Sequence, residues 1–155
     1  MSKSQIRKII RIPAPTVAII HITIAILLGW LVPLPIPAPM FVQNLGFVFA
    51  AVGFTLGILA LIEFKRVRTA LNPKNPIRNL ITSGVYRYTR NPIYLGFVFM
   101  LIGLPLSMGT YWGVILVWPL VTFTNNMIIK REESYLTKEF NTQYLDYCSR
   151  VRRWL

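Results

Sequence analysis

Residues 12–62 read IPAPTVAIIHITIAILLGWLVPLPIPAPMFVQNLGFVFAAVGFTLGILALI and contain no Asp, Glu, Lys or Arg over 51 positions. A second uncharged stretch of 39 residues runs from 91 to 129. A membrane helix needs about 20 apolar residues, each rising 1.5 Å, to cross about 30 Å of hydrocarbon. The first stretch is long enough for two such helices and the second for two shorter ones. The sequence therefore predicts a polytopic membrane protein of the all-α class, organised as a single integral membrane domain over 1–155.

Prolines divide the first stretch, because Pro33, Pro35, Pro37 and Pro39 remove backbone donors and fix φ in a way that no helix continues through. In the second stretch, the Ser-Met-Gly-Thr sequence at 107–110 predicts a turn. The alternative for this second stretch is a re-entrant hairpin instead of two full crossings. The four predicted membrane helices are 16–32, 41–64, 92–106 and 111–130.

The 17 Lys and Arg residues outnumber the 5 Asp and Glu residues, which gives a net charge of +12. Four of these cations precede the first predicted helix, seven lie between the second and third, and six follow the fourth. The two opposite turns carry no charge, so the positive-inside rule places both termini, the loop 65–91 and the tail 131–155 in the cytoplasm. We expect these charges to meet anionic lipid headgroups, not nucleic acid. Bacterial inner membrane and endoplasmic reticulum both fit this pattern.

Several kinds of site are excluded by the residues themselves. With one cysteine, Cys148, and one histidine, His21, the chain cannot build a zinc site from these two residue types, and we predict no metal. His21 lies inside the first predicted helix, where a polar contact within the bundle is favoured over catalysis. The apolar stretch near the N-terminus is too long for a cleaved signal peptide. Two glycine pairs at GxxxG spacing predict close helix packing within the bundle, with a homodimer as the alternative: Gly53 with Gly57, and Gly109 with Gly113.

Polar and aromatic residues concentrate at the cytoplasmic ends of the apolar segments. The loop reads LITSGVYRYTRNPIYLG over 80–96, and the tail reads KREESYLTKEFNTQYLDYCSRVRRW over 130–154. We expect Asn91 to occupy the N-cap of the third helix and Pro92 its first helical position. The tail is predicted to continue helically from the fourth helix, because apolar and acidic residues recur there at intervals of three and four.

These residues carry a resemblance. The motifs are GVY at 84–86, RNPIYLG at 90–96, EE at 132–133, YL at 135–136, Phe140, YLDY at 144–147 and RV at 150–151. In this order and spacing, the chain resembles the isoprenylcysteine carboxyl methyltransferase and phospholipid methyltransferase superfamily over about residues 72–153. The resemblance implies methyl transfer from S-adenosyl-L-methionine at the membrane face, by a helical fold unrelated to Rossmann methyltransferases.

The resemblance also implies roles for individual residues. Residues of the loop, the start of the third helix and the acidic pair would bind the cofactor: Leu80, Ile81, Tyr86, Asn91, Pro92, Ile93, Tyr94, Glu132 and Glu133. The loop cations Arg87 and Arg90 would hold an anionic headgroup of the substrate. No catalytic base is assigned, because the sulfonium already activates the leaving group and the chief requirement is alignment. The methyl acceptor would be lipophilic or amphiphilic, such as a prenylcysteine carboxylate, a phospholipid amine or another small acceptor.

Three positions depart from the family pattern. Asn91 stands where the family often has His, so a mechanism that needs a proton carrier there does not apply. Asn141 stands where Gly is common, and Asn is the residue that best tolerates the backbone of a helix end. Ile128 stands where the prenylcysteine enzymes place an Arg for the substrate carboxylate, which disfavours a prenylcysteine acceptor. Two other functions stay open at this point: an NADPH-dependent enzyme resembling membrane sterol reductases, and a non-catalytic module that docks on anionic membranes.

Overall fold

The computed structural model describes residues 14–67 and 79–155, and this part of the chain is helical without strands. Its longest helix, Trp112–Phe140, contains a π-helical turn over Asn125–Ile129 between α-helical segments. The elements are α1 (Ala14–Leu31), α2 (Met40–Arg66), a 3₁₀ turn (Gly84–Arg87), α3 (Pro92–Ser107), α4 (Trp112–Phe140) and α5 (Thr142–Arg150). The predicted order of four apolar helices followed by a helical tail is confirmed.

Some of the predicted cytoplasmic cations lie outside the described residues: Lys3, Arg7, Lys8, Arg11, Arg68, Lys74 and Arg78. The two helix-breaking segments behave as predicted. The chain between α1 and α2 is non-helical through the four prolines, and a turn separates α3 from α4. The Ala38 N–H donates to the Gly109 carbonyl at 3.3 Å, and the Trp112 indole N–H donates to the Val32 carbonyl at 2.9 Å. Both turns therefore lie at one end of the bundle, as alternating up-and-down helices require.

Glycines set the close packing of α2 against α3. A Cβ on Gly53 would lie 2.5 Å from the carbonyl oxygen of Gly96, and a Cβ on Gly96 would lie 2.7 Å from that of Gly53. The close packing predicted for Gly53 is confirmed, whereas a Cβ on Gly57 would meet nothing within 4 Å. In the second glycine pair, Gly113 packs against the Leu101 backbone, but Gly109 lies in the turn with φ +88°. That second pair therefore does not form a helix face, because its first residue is not helical.

The outward faces of the helices carry large apolar side chains. Trp30 is 72% exposed, Phe41 67% and Phe54 61%. In the described part of the chain, α2 and α4 are long and apolar enough to cross a membrane, while α1 and α3 are shorter apolar helices. An exposed apolar surface of this extent is typical of a protein that meets lipid or another apolar partner.

Two further predictions concern single residues. The Nδ1 atom of His21 lies 2.8 Å from the Val17 carbonyl oxygen one turn earlier. This contact satisfies one ring nitrogen within α1 itself, not across the bundle. Asn141 has a φ of +42° and a ψ of −118° between α4 and α5. Its φ is positive, as in the left-handed conformation expected at this helix end, but its ψ lies outside the left-handed helical region.

Candidate functional site

The bundle end opposite the proline turn brings the loop after residue 79 against α4 and α5. Tyr144 and Tyr147 of α5 are buried, and Leu80 of the loop and Leu136 of α4 pack against their cluster. The Tyr147 hydroxyl donates to the Tyr86 carbonyl at 2.6 Å, which ties α5 to the 3₁₀ turn. The loop and the tail therefore form one folded unit, although they are separated in sequence by two apolar helices.

Tyr94 and Glu132 join the first turn of α3 to the polar extension of α4. The Tyr94 hydroxyl donates to Glu132 Oε1 at 2.8 Å, across 38 positions of sequence. Glu132 is the third residue after the apolar part of α4 ends at Ile129. A carboxyl group removed from water at this point needs hydrogen-bond donors, and the phenol supplies one. The remaining acceptor capacity of Glu132 suits a cationic or N–H-bearing ligand.

Tyr86 lies beside this pair and is itself buried. Its ring meets Phe64 of α2 edge-to-face, with centroids 6.1 Å apart. Burial raises the pKa of the Tyr86 phenol above its usual range, and the nearby Tyr147, Glu132 and Glu63 reinforce the shift. The phenol therefore stays protonated and can act as a neutral hydrogen-bond donor.

Glu133 faces a different set of partners from its neighbour. Arg153 binds it through two parallel hydrogen bonds, Nε to Oε1 at 2.9 Å and Nη2 to Oε2 at 2.7 Å. Arg90 approaches Glu133 at 3.4 Å, contacts the Cys148 thiol, and buries its Nε without a hydrogen-bond partner in the described part of the chain. The structure thus places Arg90, predicted for the substrate headgroup, inside an ion-pair cluster, whereas Arg87 is exposed.

The segment after α5 pairs with the residues that precede α3. The Arg90 N–H donates to the Arg152 carbonyl at 3.0 Å, and the Thr89 hydroxyl donates to the Arg153 carbonyl at 3.2 Å. The Asn91 side chain also donates to the Arg153 carbonyl, at 3.0 Å. Asn91 occupies the N-cap position and Pro92 the first helical position, as predicted, but the Asn91 side chain does not cap the helix. It binds the tail instead, because the Arg153 carbonyl is within its reach.

The first turn of α3 consequently has no side-chain cap. The N–H groups at such a helix start lack intrahelical partners and carry the positive end of the helix dipole. Ile93 packs with Ile81 and Tyr86 in the cluster around Ala60 of α2. Five of the nine predicted cofactor residues lie in this region: Ile81, Tyr86, Ile93, Tyr94 and Glu132. Pro92 is fully buried at the first position of α3, Leu80 packs on α5, and Asn91 and Glu133 bind Arg153.

Two contacts were missed by the sequence reasoning. Glu63 of α2 is buried, and Ser83 donates to its carboxyl group at 2.5 Å. The signal for Glu63 was present, because it is the first acidic residue of the chain and directly follows the 51 uncharged positions. The indole N–H of Trp154 donates to the Asn125 side chain at 3.2 Å, where the π-helical turn begins, and no sequence signal announces this pair.

A groove of about 140 Å³ lies at the other end of the bundle, beside the proline turn. Trp30, Leu34, Pro37 and Met108 are among its walls, and no ionisable side chain lines it. It offers no groups for chemistry, so the candidate site is the acidic and aromatic cluster. Within residues 14–67 and 79–155, no group of three or more His, Cys, Asp or Glu side chains is placed to hold a metal ion.

Comparison with known proteins bears on what this cluster does. Residues 41–143 match the family model described as phospholipid methyltransferase. A protein-S-isoprenylcysteine O-methyltransferase of Schizosaccharomyces pombe is 30% identical over 78 residues, which are 50% of this chain and 33% of that protein. The enzyme of the same name from Saccharomyces cerevisiae is 36% identical over 78 residues, covering 46% and 30%. Protein-S-isoprenylcysteine O-methyltransferase A of Arabidopsis thaliana is 31% identical over 118 residues, covering 71% and 57%.

The chain thus spans between about a third and somewhat over half of the length of these curated relatives. No solved structure matches it. The family match includes α3, α4, nearly all of α2 and the loop between α2 and α3, which carry Tyr86, Tyr94 and Glu132, whereas most of α5 and the segment after it lie beyond the match. Since that match extends over 103 of the 155 residues, the chain belongs to the phospholipid methyltransferase family.

Proposed function

We propose that this chain is an S-adenosylmethionine-dependent methyltransferase that acts at the membrane face on a lipophilic or amphiphilic acceptor. The observation that carries the proposal is the hydrogen bond of 2.8 Å between Tyr94 and Glu132, beside the buried Tyr86 and the uncapped start of α3. Family membership supplies the reaction class, and the cluster supplies groups that fit the methyl donor.

The chemistry of the cofactor can be compared with these groups. S-adenosylmethionine carries a sulfonium, an ammonium, a carboxylate, a ribose diol and an adenine ring. Glu132 would accept hydrogen bonds from it, and the N–H groups at the start of α3 would meet its carboxylate. Ile81, Ile93 and the Tyr86 ring provide apolar and aromatic cover of the kind that an adenine requires. The residues present therefore fit the cofactor.

When bound, the cofactor supplies a methyl group on a positively charged sulfur that leaves readily. The protein's own task is to align donor and acceptor and to exclude water. Tyr94 holds Glu132 in one orientation, and the neutral Tyr86 phenol can donate without becoming charged. Asn91 is bound to the tail and carries no titratable group, so we assign no proton transfer to it.

For the acceptor, we propose entry from the bilayer, with the exposed Arg87 meeting an anionic headgroup. Ile128 is only 5% exposed and packs in the main apolar core, so this position offers no cation to an acceptor carboxylate. Arg90 is held by Glu133 and Cys148, and its contribution would be to the shape of the site. We therefore favour an acceptor with an anionic headgroup that is not a prenylcysteine methylated on its carboxylate.

We also propose four membrane crossings with both termini in the cytoplasm. α1 and α3 have 18 and 16 residues, or roughly 27 and 24 Å at 1.5 Å each. These lengths approach the hydrocarbon thickness, and the two turns lie together at one end of the bundle. The described cations lie at the opposite end, as the positive-inside rule expects. Each helix would then cross once.

The proposal is tested by calorimetric titration of the detergent-solubilised protein with S-adenosylhomocysteine, with NADPH titrated in parallel. We expect the first ligand alone to bind, and Glu132→Gln to abolish this binding while the fold is retained. Glu139→Gln is the matched control, because Glu139 lies two turns later on the same helix and is exposed. Full binding by folded Glu132→Gln would contradict the site, NADPH binding would support a reductase, and binding of neither would support a membrane-docking module.

A further inference from the structure

Glu63 is an unusual residue for its place in the fold. It follows 51 uncharged positions and lies in the last turn of α2, yet its side chain is only 10% exposed. Withdrawing a carboxyl group from water is costly unless hydrogen bonds compensate, and such residues near membrane segments usually have a function. The partners of Glu63 indicate what that function is.

The partners lie on the loop that leads to the 3₁₀ turn. Ser83 donates to Glu63 Oε2 at 2.5 Å. The next residue, Gly84, has a φ of +58° and passes so close that a Cβ there would lie 2.6 Å from Glu63 Cδ. Arg66 approaches Glu63 at 3.8 Å, but its own side chain is 73% exposed, so water screens this pair. The close contacts of Glu63 are therefore with the loop and not with a cation.

Other contacts fasten the same loop segment to α2. The Asn79 side chain donates to the Val67 carbonyl at 3.1 Å. Ile81 and Tyr86 pack against Ala60 and its neighbours on α2. Glu63 is the polar centre of this attachment, since it accepts a hydrogen bond from Ser83 and contacts Gly84, the residue at which the 3₁₀ turn begins.

We propose that Glu63 is a positioning residue for the methyl transfer. It holds the Ser83–Gly84 turn against α2 and thereby fixes Ile81 and Tyr86 opposite Glu132. It does not touch the cofactor, so its effect passes through the loop. The effect of Glu63 on methyl transfer rests on the proposed function, but the attachment of the loop to α2 can be measured without any ligand.

The experiment compares Glu63→Ala, Glu63→Gln and Arg66→Ala in detergent, with two readouts. Hydrogen exchange of the peptide covering 79–90 reports how firmly the loop is held, and calorimetry reports the affinity for S-adenosylhomocysteine. Glu63→Ala removes the acceptor of the Ser83 hydrogen bond, whereas Glu63→Gln keeps one. Arg66→Ala removes the exposed partner only and is the matched control. Ser83→Ala removes the donor of the same hydrogen bond and replaces Glu63→Ala in the comparison if that variant does not fold.

We expect exchange in 79–90 to be at least tenfold faster in Glu63→Ala, with affinity at least tenfold weaker. Glu63→Gln and Arg66→Ala should stay within threefold of wild type in both readouts. Unchanged exchange in folded Glu63→Ala and Ser83→Ala overturns the inference, as does a Glu63→Gln variant as impaired as Glu63→Ala. If wild type binds no S-adenosylhomocysteine, the proposed function fails, and exchange alone then decides whether Glu63 holds the loop.

Discussion

At the scale of single residues, Glu132 and Glu133 are adjacent on α4 but serve different partners. Neighbouring positions on a helix point about 100° apart. Glu132 consequently faces Tyr94 on α3, and Glu133 faces Arg153 and Arg90 at the loop and tail. The first carboxyl group keeps acceptor capacity for a ligand, while both oxygens of the second are engaged by guanidinium groups. Substitution of Glu132 should therefore impair ligand binding, whereas substitution of Glu133 should lower stability.

Glu133→Gln is the prediction that follows. A bidentate charged pair contributes about 1 kcal/mol once the partial exposure of Arg153 is considered. In a chain of this size that loss lowers the thermal midpoint by about 2–4 °C. We expect affinity for S-adenosylhomocysteine to stay within threefold of wild type. Thermal unfolding and calorimetry on the same preparation check both statements. A Glu133→Gln variant that loses binding like Glu132→Gln would instead place both carboxyl groups on the cofactor.

The buried phenols predict how stability depends on pH. Burial raises the pKa of Tyr86, Tyr144 and Tyr147. In the unfolded chain these groups lose their protons near pH 10, whereas in the fold they retain them. Above about pH 10 the unfolded state therefore binds fewer protons, and stability falls as pH rises.

Tyr147→Phe tests this dependence. The variant loses the 2.6 Å hydrogen bond to the Tyr86 carbonyl, which costs about 1 kcal/mol at neutral pH. It should also lose less stability than wild type between pH 9 and about pH 11, because it lacks one of the phenols whose pKa is raised in the fold. Thermal midpoints measured across this range show the slope directly. Parallel slopes for the two proteins would mean that Tyr147 titrates alike in the folded and unfolded chains.

At the scale of elements, the contact between α2 and α3 depends on backbone approach at glycines. Gly53 and Gly96 each lack the space for a Cβ, since the opposing carbonyl oxygen lies 2.5 to 2.7 Å from its place. The GxxxG spacing also named Gly57, whose backbone nitrogen would lie 3.4 Å from a Cβ on Gly96, although a Cβ on Gly57 itself would point into open space. Spacing along one helix cannot show which glycine lacks room for a Cβ, because the register of the antiparallel pair decides it.

Gly53→Ala and Gly57→Ala form a matched pair of variants on one helix. We expect Gly53→Ala to destabilise by about 1–3 kcal/mol, because the opposing backbone has to move. Gly57→Ala should be neutral or stabilising by roughly 0.5–1 kcal/mol, since Ala favours a helix over Gly. Thermal midpoints in the same detergent compare them. Equal effects of the two substitutions would show that α2 does not pack on α3 through Gly53.

The bounds of the elements were largely predictable, and the local order at the site was less so. Uncharged stretches and alternating prolines locate the apolar helices without knowledge of the tertiary fold. An uncharged stretch shows which residues avoid water, and prolines end a helix through their own backbone. The resemblance named Tyr94 and Glu132, which the structure joins. It could not show that Asn91 binds the Arg153 carbonyl, 62 positions away, because any residue offers a main-chain carbonyl. Such contacts depend on the tertiary fold and leave no pattern in the sequence.

At the scale of the whole molecule, the distribution of charge divides the bundle into two ends. One end holds the uncharged proline turn and the turn at 108–111, which are hydrogen-bonded to each other. The other end holds the ion-pair cluster of Glu133, Arg90 and Arg153, together with the exposed cations of the loop and tail. With apolar side chains exposed on the helices between them, a membrane would place these ends on opposite sides.

Cysteine labelling tests this topology. Cys148→Ser removes the single native thiol, and Ile36→Cys, Met108→Cys and Ser149→Cys then place one thiol at an exposed position of either end. We expect a membrane-impermeant maleimide to label residues 36 and 108 from outside intact cells and residue 149 only in inverted vesicles. If 108 and 149 label from the same side while 36 labels from the other, α3 and α4 form a re-entrant hairpin, since α4 is the only helix between 108 and 149 that is long and apolar enough to cross. If all three label from the cytoplasmic side, no helix crosses, and the exposed apolar faces of α2 would have to cover another protein surface instead.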